Sequence, residues 1–349
     1  MQVNAGLREA IVPETGLGLP TVSVLMQNYN HGKYLVRALQ AHLQQTIPPL
    51  EIIVVDDAST DNSRDVIEEI ALKHTCVRPI YHAVNRGVVS AMNTGLAEAK
   101  GYYVCFAAAD DLVAPEFLAR SVEILVQHPE AGFCFSDPAE LLGDTGVTRA
   151  FPLFLSESPC FFSPCELERV LTCNFFSFSS NSIVYRRDAL LRAGGFREEL
   201  RWYTDWFLNF VLAFRYGACY VPRVLSFFRV LDNSYSTQGR RQSTTQRELL
   251  YRVLDLLGTP EYGDVAPCFR RAGIVTDMRT RSLLWLLASR RHRSYLTLQL
   301  CFRLLFSGLW TMARPNTPVW LRQAARWLIG RPTRRMVACR QATTHHGRV

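Results

Sequence analysis

The 349-residue sequence lacks the long apolar stretches that membrane-spanning and secreted proteins carry. No stretch of about 20 residues is cleanly apolar, as a transmembrane helix requires. The nearest, SYLTLQLCFRLLFSGLW, has Gln299 and Arg303 in its middle. The first residues, MQVNAGLREAIVPETG, contain no apolar segment typical of a signal peptide. We therefore expect a cytoplasmic protein.

The ten cysteines form no recognisable metal or disulfide pattern. There is no Cys-x-x-Cys pair and no Cys/His spacing of the zinc-binding kind. This scatter favours reduced thiols in a reducing compartment over a disulfide scaffold.

Acidic residues are missing from the end of the chain, where none follows Asp277. Residues from Arg241 onward include 19 arginines and five acidic residues, a net charge of +14, which leaves −6 for residues 1–240. A basic tail suits an anionic membrane or nucleic acid. The acidic first part argues against nucleic acid as the substrate, so we expect no nucleic-acid partner.

Strand and helix patterns alternate between residues 21 and 137. The strand-like segments are TVSVLM, EIIVVDD, RPIYHA, YYVCFAAA and GFCFSD, and the helix-like ones are HGKYLVRALQAHLQQ, STDNSRDVIEEIALKH, GVVSAMNTGLAEAK and PEFLARSVEILVQH. Strict alternation predicts an α/β fold with a Rossmann-like, mainly parallel sheet flanked by helices. TDWFLNFVLAFRYG predicts a further helix, and the basic region after residue 240 predicts a mostly helical C-terminal extension.

Two acidic pairs, Asp56–Asp57 and Asp110–Asp111, come at the ends of predicted strands. In open α/β sheets ligands bind at the carboxyl ends of the strands, so both pairs are expected at one edge. Solvated turn or helix-capping roles are the alternative for each pair. Adjacent carboxylates repel each other unless a cation lies with them, and Mg²⁺ or Mn²⁺ takes such oxygen ligands.

The ordered segments QNYN, IIVVDDAST, NRGVVSAMNTGL, FAAADDL, GGF and TDW resemble the family-2 inverting glycosyltransferases, which have the GT-A nucleotide-sugar fold. The resemblance covers about residues 20–235. It implies an N-terminal arm over residues 1–19, a GT-A glycosyltransferase domain over 20–238, and a basic helical region over 239–349.

The resemblance also implies roles for residues that would bind the donor. Tyr29 would stack on the nucleobase with Gln27 beside it. Asp57 would accept a hydrogen bond from the base imide, which favours uracil or thymine. Arg86 and Asn93 would lie near the diphosphate or the sugar.

The remaining implied roles concern the metal and the chemistry. Asp110 and Asp111 would hold the ribose and a divalent metal, with Asp111 as the metal ligand, and Asp205 would be the general base. An acceptor hydroxyl needs such a base because it is a weak nucleophile. Ala108 stands where many relatives have a further carboxylate, and Leu231 where a polar residue is expected. We therefore expect weak metal affinity without nucleotide sugar.

These patterns predict a metal-dependent inverting glycosyltransferase that moves a sugar from a UDP- or dTDP-sugar to a polysaccharide or lipid-linked acceptor. Ala108 and Leu231 leave open a non-catalytic, nucleotide-sugar-binding relative, although the retained Asp110, Asp111 and Asp205 argue against it. A dinucleotide oxidoreductase is disfavoured because no Gly-x-Gly-x-x-Gly follows the first strand.

The segment PNTPVWLRQAARWLIGRPTRRM predicts an amphipathic helix near the C-terminus. Trp320, Trp327 and Leu328 fall on one side, and Arg322 and Arg326 on another. This arrangement suits peripheral contact with an anionic membrane at its cytoplasmic face. Packing of the apolar side against the preceding domain is the alternative.

Overall fold

The computed structural model describes residue 18 and residues 20–142, 146–174, 176–231, 235–275, 281–301 and 303–304. Most of the predicted N-terminal arm and the whole predicted amphipathic helix at residues 318–330 lie outside the described residues.

One mixed sheet organises the fold, with the strand order β3-β2-β1-β4-β9-β6-β10-β5, while β7 pairs with β6 and β8 with β10. The strands are β1 (Val22–Asn28), β2 (Glu51–Asp56), β3 (Val77–Tyr81), β4 (Tyr103–Ala108), β5 (Leu112–Val113), β6 (Phe133–Leu141), β7 (Thr148–Ala150), β8 (Cys160–Phe162), β9 (Ile183–Arg186) and β10 (Ala218–Arg229).

Helices connect and cover these strands. They are α1 (Gly32–Leu43), α2 (Ser63–Lys73), α3 (Val88–Glu98), α4 (Phe117–Gln127), α5 (Pro164–Cys173), α6 (Arg187–Arg192), α7 (Thr204–Tyr216), α8 (Tyr235–Arg241), α9 (Ser243–Leu257), α10 (Ala266–Arg271) and α11 (Arg281–Ala288), with short 3₁₀ helices at Ser180–Ser182, Glu198–Tyr203, Pro260–Tyr262 and Arg290–Tyr295. The predicted α/β class is confirmed.

The first four strands in this sheet, β1 to β4, are parallel to one another. Central β1 sets Asn28 opposite Asp56 on β2 and Gln27 opposite Ala108 on β4. The carboxyl ends of three neighbouring strands therefore meet at one edge, as predicted. Beyond β4 the sheet becomes mixed, because β9 runs antiparallel to both β4 and β6, while β6 and β10 are parallel.

The C-terminal helices share the hydrophobic core of the sheet domain. Phe269 on α10 is fully buried and packs on Phe207, Phe210 and Phe214 of α7, with ring centroids 5.8, 6.2 and 5.1 Å away. The core cluster on that side of the sheet continues without a break from β4 to Leu304. The boundary at residue 238 remains a prediction, and buried residues on both sides of it belong to this one cluster.

The end of the described chain is tied to the carboxyl end of α5. Arg303 is 9% exposed and donates to the carbonyl of Leu171 at 2.7 Å and to that of Phe176 at 3.2 Å. Gln299 donates to the carbonyl of Thr172. Burial lowers the pKa of Arg303 to about 10. None of the helices in the described residues is long and apolar enough to cross a membrane.

Candidate active site

Gln27 and Tyr29 lie at the carboxyl end of central β1. The Gln27 Oε1 is buried and has no hydrogen-bond partner among the described residues. The Tyr29 side chain follows the strand and is 45% exposed. The exposed Tyr29 ring is free to stack on a planar ligand, and the nucleobase contact of Tyr29 and Gln27 remains a prediction.

Hydrogen bonds join the loop after β1 to the loop after β2 at this edge of the sheet. Asn30 Oδ1 accepts from the Thr60 amide at 2.7 Å, and the Asn30 amide donates to the Ser59 hydroxyl at 2.9 Å. Asn30 and Ala58 both have a left-handed backbone, with φ of 56° and 60°. Such strain in non-glycine residues is common at functional sites, where the surrounding contacts hold it in place.

Asp57 is buried and anchors the segment that leads into α3. Its Oδ1 accepts from the Arg86 amide at 2.9 Å and lies 2.7 Å from His82 Nδ1, and its Oδ2 accepts from the Gly87 amide at 2.7 Å. The predicted contact with a base imide remains a prediction, and the carboxylate already has these three partners. The Arg86 side chain is exposed at the amino end of α3, near the same edge.

Asn93 forms two hydrogen bonds to the backbone of Phe196 that the sequence did not predict. Its Nδ2 donates to the Phe196 carbonyl at 2.8 Å, and its Oδ1 accepts from the Phe196 amide at 3.1 Å. Gly195 has φ of 67°, and a Cβ there would lie 3.3 Å from Asn93 Oδ1. Asn93 thus fixes the GGF turn that precedes Asp205, while its predicted contact with sugar or diphosphate remains untested.

Asp110 and Asp111 follow β4 as predicted, and their surroundings disfavour the ionised form of each. Burial raises the pKa of Asp110. Burial, followed by the charge of Asp110, raises the pKa of Asp111 well above its ordinary value. The Asp111 Oδ1 accepts from the Arg229 amide at 2.9 Å, and His31 Nδ1 lies 3.7 Å from Asp110 Oδ1.

His31 and Arg229 are site residues that the sequence patterns missed. The Arg229 guanidinium stacks on the Tyr34 ring at 4.6 Å and approaches the Asp110 carbonyl, with Nε at 3.4 Å. His31 directly follows the QNYN segment, which is the signal that could have marked it. Arg229 is brought to Asp110 only by β10, a strand from the other half of the sheet.

The carboxylates are of the kind that hold a divalent cation jointly with substrate phosphates. No cluster of three or more acidic, histidine or cysteine side chains suited to a metal occurs within the described part of the chain. Ala108 ends β4 without an oxygen ligand, and Leu231 follows β10. Mg²⁺ commonly uses one or two carboxylates together with substrate phosphates and water, and Asp110 and Asp111 match that pattern.

Asp205 lies in the first turn of α7, as predicted. The 3₁₀ helix Ser180–Ser182 lies near both Asp205 and Asp111. The Ser180 hydroxyl donates to Asp205 Oδ2 at 2.7 Å, and the Trp206 amide lies 2.8 Å from Asp205 Oδ1. The next residue, Asn181, is close enough to Asp111 to lower its pKa, although burial and Asp110 dominate that shift. Neighbouring residues of one 3₁₀ turn therefore reach both acidic centres.

The family assignment follows from these site-bearing segments. Residues 23–190 match the model of glycosyl transferase family 2. The matched segment is a family-2 glycosyltransferase domain, and Asp205 and Arg229 lie beyond it. The predicted resemblance is therefore confirmed for the part that bears β1 to β9.

The curated relatives show how far the sequence similarity extends. An uncharacterized glycosyltransferase of Nostoc sp. is 45% identical over 104 residues, 30% of this chain and 32% of that protein. The matches span about a third to a half of the first curated relatives' own length.

The solved structures extend the similarity in fold. Staphylococcus aureus TarS in complex with UDP-GlcNAc matches with a TM-score of 0.56 and 17% identity, over 81% of this chain and 91% of that one. The mannosyltransferase PcManGT of Pyrobaculum calidifontis, in complex with GDP-Man and Mn²⁺, matches with a TM-score of 0.51 and 21% identity, over 86% and 90%. At these identities the matches establish the GT-A fold of the family-2 domain.

Proposed function

We propose that this protein is an inverting glycosyltransferase that moves a sugar from a UDP- or dTDP-sugar to a hydroxyl of a polysaccharide or lipid-linked acceptor. The observation that carries the proposal is the 3₁₀ turn Ser180–Ser182. Its first residue donates to Asp205 and its second lies against Asp111. The candidate base and the candidate diphosphate site are therefore both close to this turn.

The donor would bind along the carboxyl edge of β1 and β4. Tyr29 offers its exposed ring to the base, and Gln27 offers an unsatisfied acceptor. Asp111, with Asp110 beside it, would hold a divalent cation, and the cation supplies positive charge that makes the diphosphate a better leaving group. Arg229 adds a fixed positive charge at the same place.

The acceptor would enter from the side of α7. Its hydroxyl oxygen attacks the anomeric carbon, the bond from that carbon to the diphosphate oxygen breaks, and the hydroxyl proton passes to Asp205. Attack opposite the leaving group inverts the anomeric centre. A correctly placed base contributes typically 10²–10⁴-fold to such a step.

Two solved complexes support this donor class. TarS was crystallised with UDP-GlcNAc, and the mannosyltransferase with GDP-Man and Mn²⁺. Both proteins therefore bind a nucleotide sugar on the same fold, and one does so with a divalent metal. The choice of uracil or thymine over guanine rests on the resemblance-based role of Asp57.

A non-catalytic nucleotide-sugar-binding protein is the second candidate. Ala108 and Leu231 favour it, because each replaces a polar side chain expected near the metal. Such a protein would bind the donor but release no nucleotide. The two candidates therefore differ in turnover and agree in binding.

The test combines a donor panel with one substitution. UDP-glucose, UDP-galactose, UDP-GlcNAc, dTDP-glucose and GDP-mannose are screened by thermal shift with and without Mn²⁺, and nucleotide release is then measured. We expect a UDP- or dTDP-sugar to stabilise the protein more with Mn²⁺ and to be turned over. Asp205→Asn should retain donor binding and lower turnover by about 10²-fold or more. Full turnover in this variant would remove Asp205 from the mechanism.

A further inference from the structure

A chain of three hydrogen bonds runs through the protein interior and ends on Asp205. The Tyr185 hydroxyl donates to Asn209 Oδ1 at 2.7 Å, Asn209 Nδ2 donates to Ser180 Oγ at 3.2 Å, and the Ser180 hydroxyl donates to Asp205 Oδ2 at 2.7 Å. Tyr185 lies on β9, Asn209 on α7 and Ser180 on the intervening 3₁₀ turn. Three separate elements thus converge on one carboxylate.

The chemistry of the amide gives this chain a single direction. An amide nitrogen donates but does not accept, so Ser180 Oγ must be the acceptor from Asn209. The one hydroxyl proton of Ser180 is then left for Asp205. If the amide were reversed, its oxygen would take the Ser180 proton, and the 2.7 Å contact with Asp205 would require a protonated carboxyl. With the Asn209 amide oriented in this way, the hydrogen bonds end in a hydroxyl that donates to an ionised Asp205.

Asn209 occupies a position where an apolar side chain would be expected. It is 0% exposed and lies within a run of α7 in which Phe207, Leu208, Phe210 and Val211 are also buried. A buried amide costs stability unless it is hydrogen-bonded, so packing alone gives no reason for an asparagine here. What the amide does is hold Ser180, which without it could turn its proton towards water.

Tyr185 closes the inner end of the chain and stays protonated. Its side chain is fully buried between Phe106 and Phe133, with ring centroids 5.8 and 6.0 Å away. Burial, and after it the charge of Asp205, raises the pKa of Tyr185 far above its ordinary value. Tyr185 is thus a permanent donor across the pH range in which an enzyme of this kind is assayed.

We propose that Asn209, supported by Tyr185, is a positioning residue that acts through Ser180 to hold Asp205 ionised and aimed at the acceptor hydroxyl. The proposal rests on the role of Asp205 in the proposed function.

The test is the pH dependence of turnover in Asn209→Leu, a variant of similar size. Turnover is release of the nucleoside diphosphate from the best donor of the panel, with water as acceptor. We expect kcat to fall about ten-fold, a part of what a general base contributes, and KM for the donor to stay within about two-fold. Loss of a donor to an ionised carboxylate favours protonation, so the acidic limb of the kcat profile should move up by about half to one pH unit.

Two further variants separate positioning from packing. Ser180→Ala should move the acidic limb in the same direction, and Ser180→Thr should restore it. Adding Asn209→Leu to Ser180→Ala should change kcat by less than about two-fold, because Asn209 acts through Ser180. Thr204→Val is the matched control, since Thr204 precedes Asp205 and its buried hydroxyl has no hydrogen-bond partner among the described residues. We expect this control to keep the parent profile.

The outcomes distinguish this proposal from the proposed function. If Asp205→Asn abolishes turnover but Ser180→Ala keeps the parent pH profile, the positioning chain is overturned and the base remains. An unshifted limb in a folded Asn209→Leu overturns it equally. If Asn209→Leu does not fold, Ser180→Ala and its threonine rescue decide alone. If Asp205→Asn retains full turnover, the proposed function itself fails.

Discussion

The two halves of the sheet build their parts of the site in different ways. In the donor half, residues 20–111, the candidate residues stand at or just after the ends of parallel strands, and hydrogen bonds between adjacent loops fix them. In the base half, residues 133–231, Asp205 stands on a helix, and the Ser180 hydroxyl that donates to it comes from a 3₁₀ turn 25 residues earlier. Contacts in both halves join residues far apart in the sequence, so what differs is the local signal: strand ends mark the donor-side residues, whereas the surroundings of Asp205 are set by packing between a strand, a 3₁₀ turn and a helix.

This contrast explains which elements the sequence could predict. Segments with clear periodicity, such as α1, β2 and α7, are confirmed. The strand predicted at GFCFSD extends to Leu141, and the long strand β10 was not predicted. β10 contains Pro222, and its register with β6 shifts twice, so no regular alternation marks it. The pairing of β8 with β10 joins distant segments, which no local pattern reports.

The same limit applies to the site. Asp110, Asp111 and Asp205 stand where the sequence predicted them, because strand ends and a helix start are local signals. The interactions of Asn93 and the approach of Arg229 could not be predicted, since each joins residues more than 100 positions apart.

The largest expected effect is the loss of metal-dependent binding in Asp111→Ala. Without this carboxylate the cation would have Asp110, phosphate and water alone. We expect Mn²⁺ no longer to enhance UDP binding, as measured by calorimetry. Asp65→Ala, an exposed carboxylate on α2, is the control and should bind like the parent. If Mn²⁺ still enhanced UDP binding in Asp111→Ala, the metal would not be bound at the end of β4.

Phe269→Ala tests whether the C-terminal helices belong to the base half. Removing a fully buried ring should lower the free energy of unfolding by about 3–5 kcal/mol. Because Phe269 packs on α7, circular dichroism and tryptophan fluorescence should report one shared transition in urea. Two separate transitions would mean that the C-terminal helices fold independently. Leu72→Ala, at an 88% exposed position, is the control and should change little.

Glu51→Gln tests the hydrogen bonds and the ion pair that the buried Glu51 carboxylate makes in the donor half. Glu51 accepts from the Ser23 hydroxyl at 2.7 Å and the Lys100 amide at 2.8 Å, and it pairs with Arg78. Burial alone would raise its pKa, but these donors together lower it. We expect the variant to be less stable by about 1–3 kcal/mol at neutral pH.

The pH dependence of this variant has a defined sign. A lowered pKa stabilises the fold above the unfolded-state value of about 4.5, and the stabilisation is lost as the pH falls through the folded-state value. The stability difference between parent and Glu51→Gln should therefore shrink below about pH 4.5, as urea titrations at several pH values would measure. A difference that stays constant down to pH 3 would contradict the role of the charge.

The smallest expected effect comes from Ala108→Asp, which adds a carboxylate at the end of β4. We expect tighter Mn²⁺ binding and turnover within about ten-fold of the parent, since one added ligand contributes on the order of 1 kcal/mol. Calorimetry with Mn²⁺ and UDP measures the first and UDP release the second. Unchanged metal affinity would place the cation away from β4.

The central claim is that the donor half and the base half form one active site. Its most direct test is a crystal structure with UDP and Mn²⁺, in which anomalous scattering locates the metal. The account predicts a manganese peak at Asp111, the uracil on the Tyr29 ring, and the Asp205 carboxylate facing the open side of the diphosphate. A nucleotide bound elsewhere, such as in the groove between Arg120 and Arg223, or a manganese peak away from Asp110 and Asp111, would contradict it.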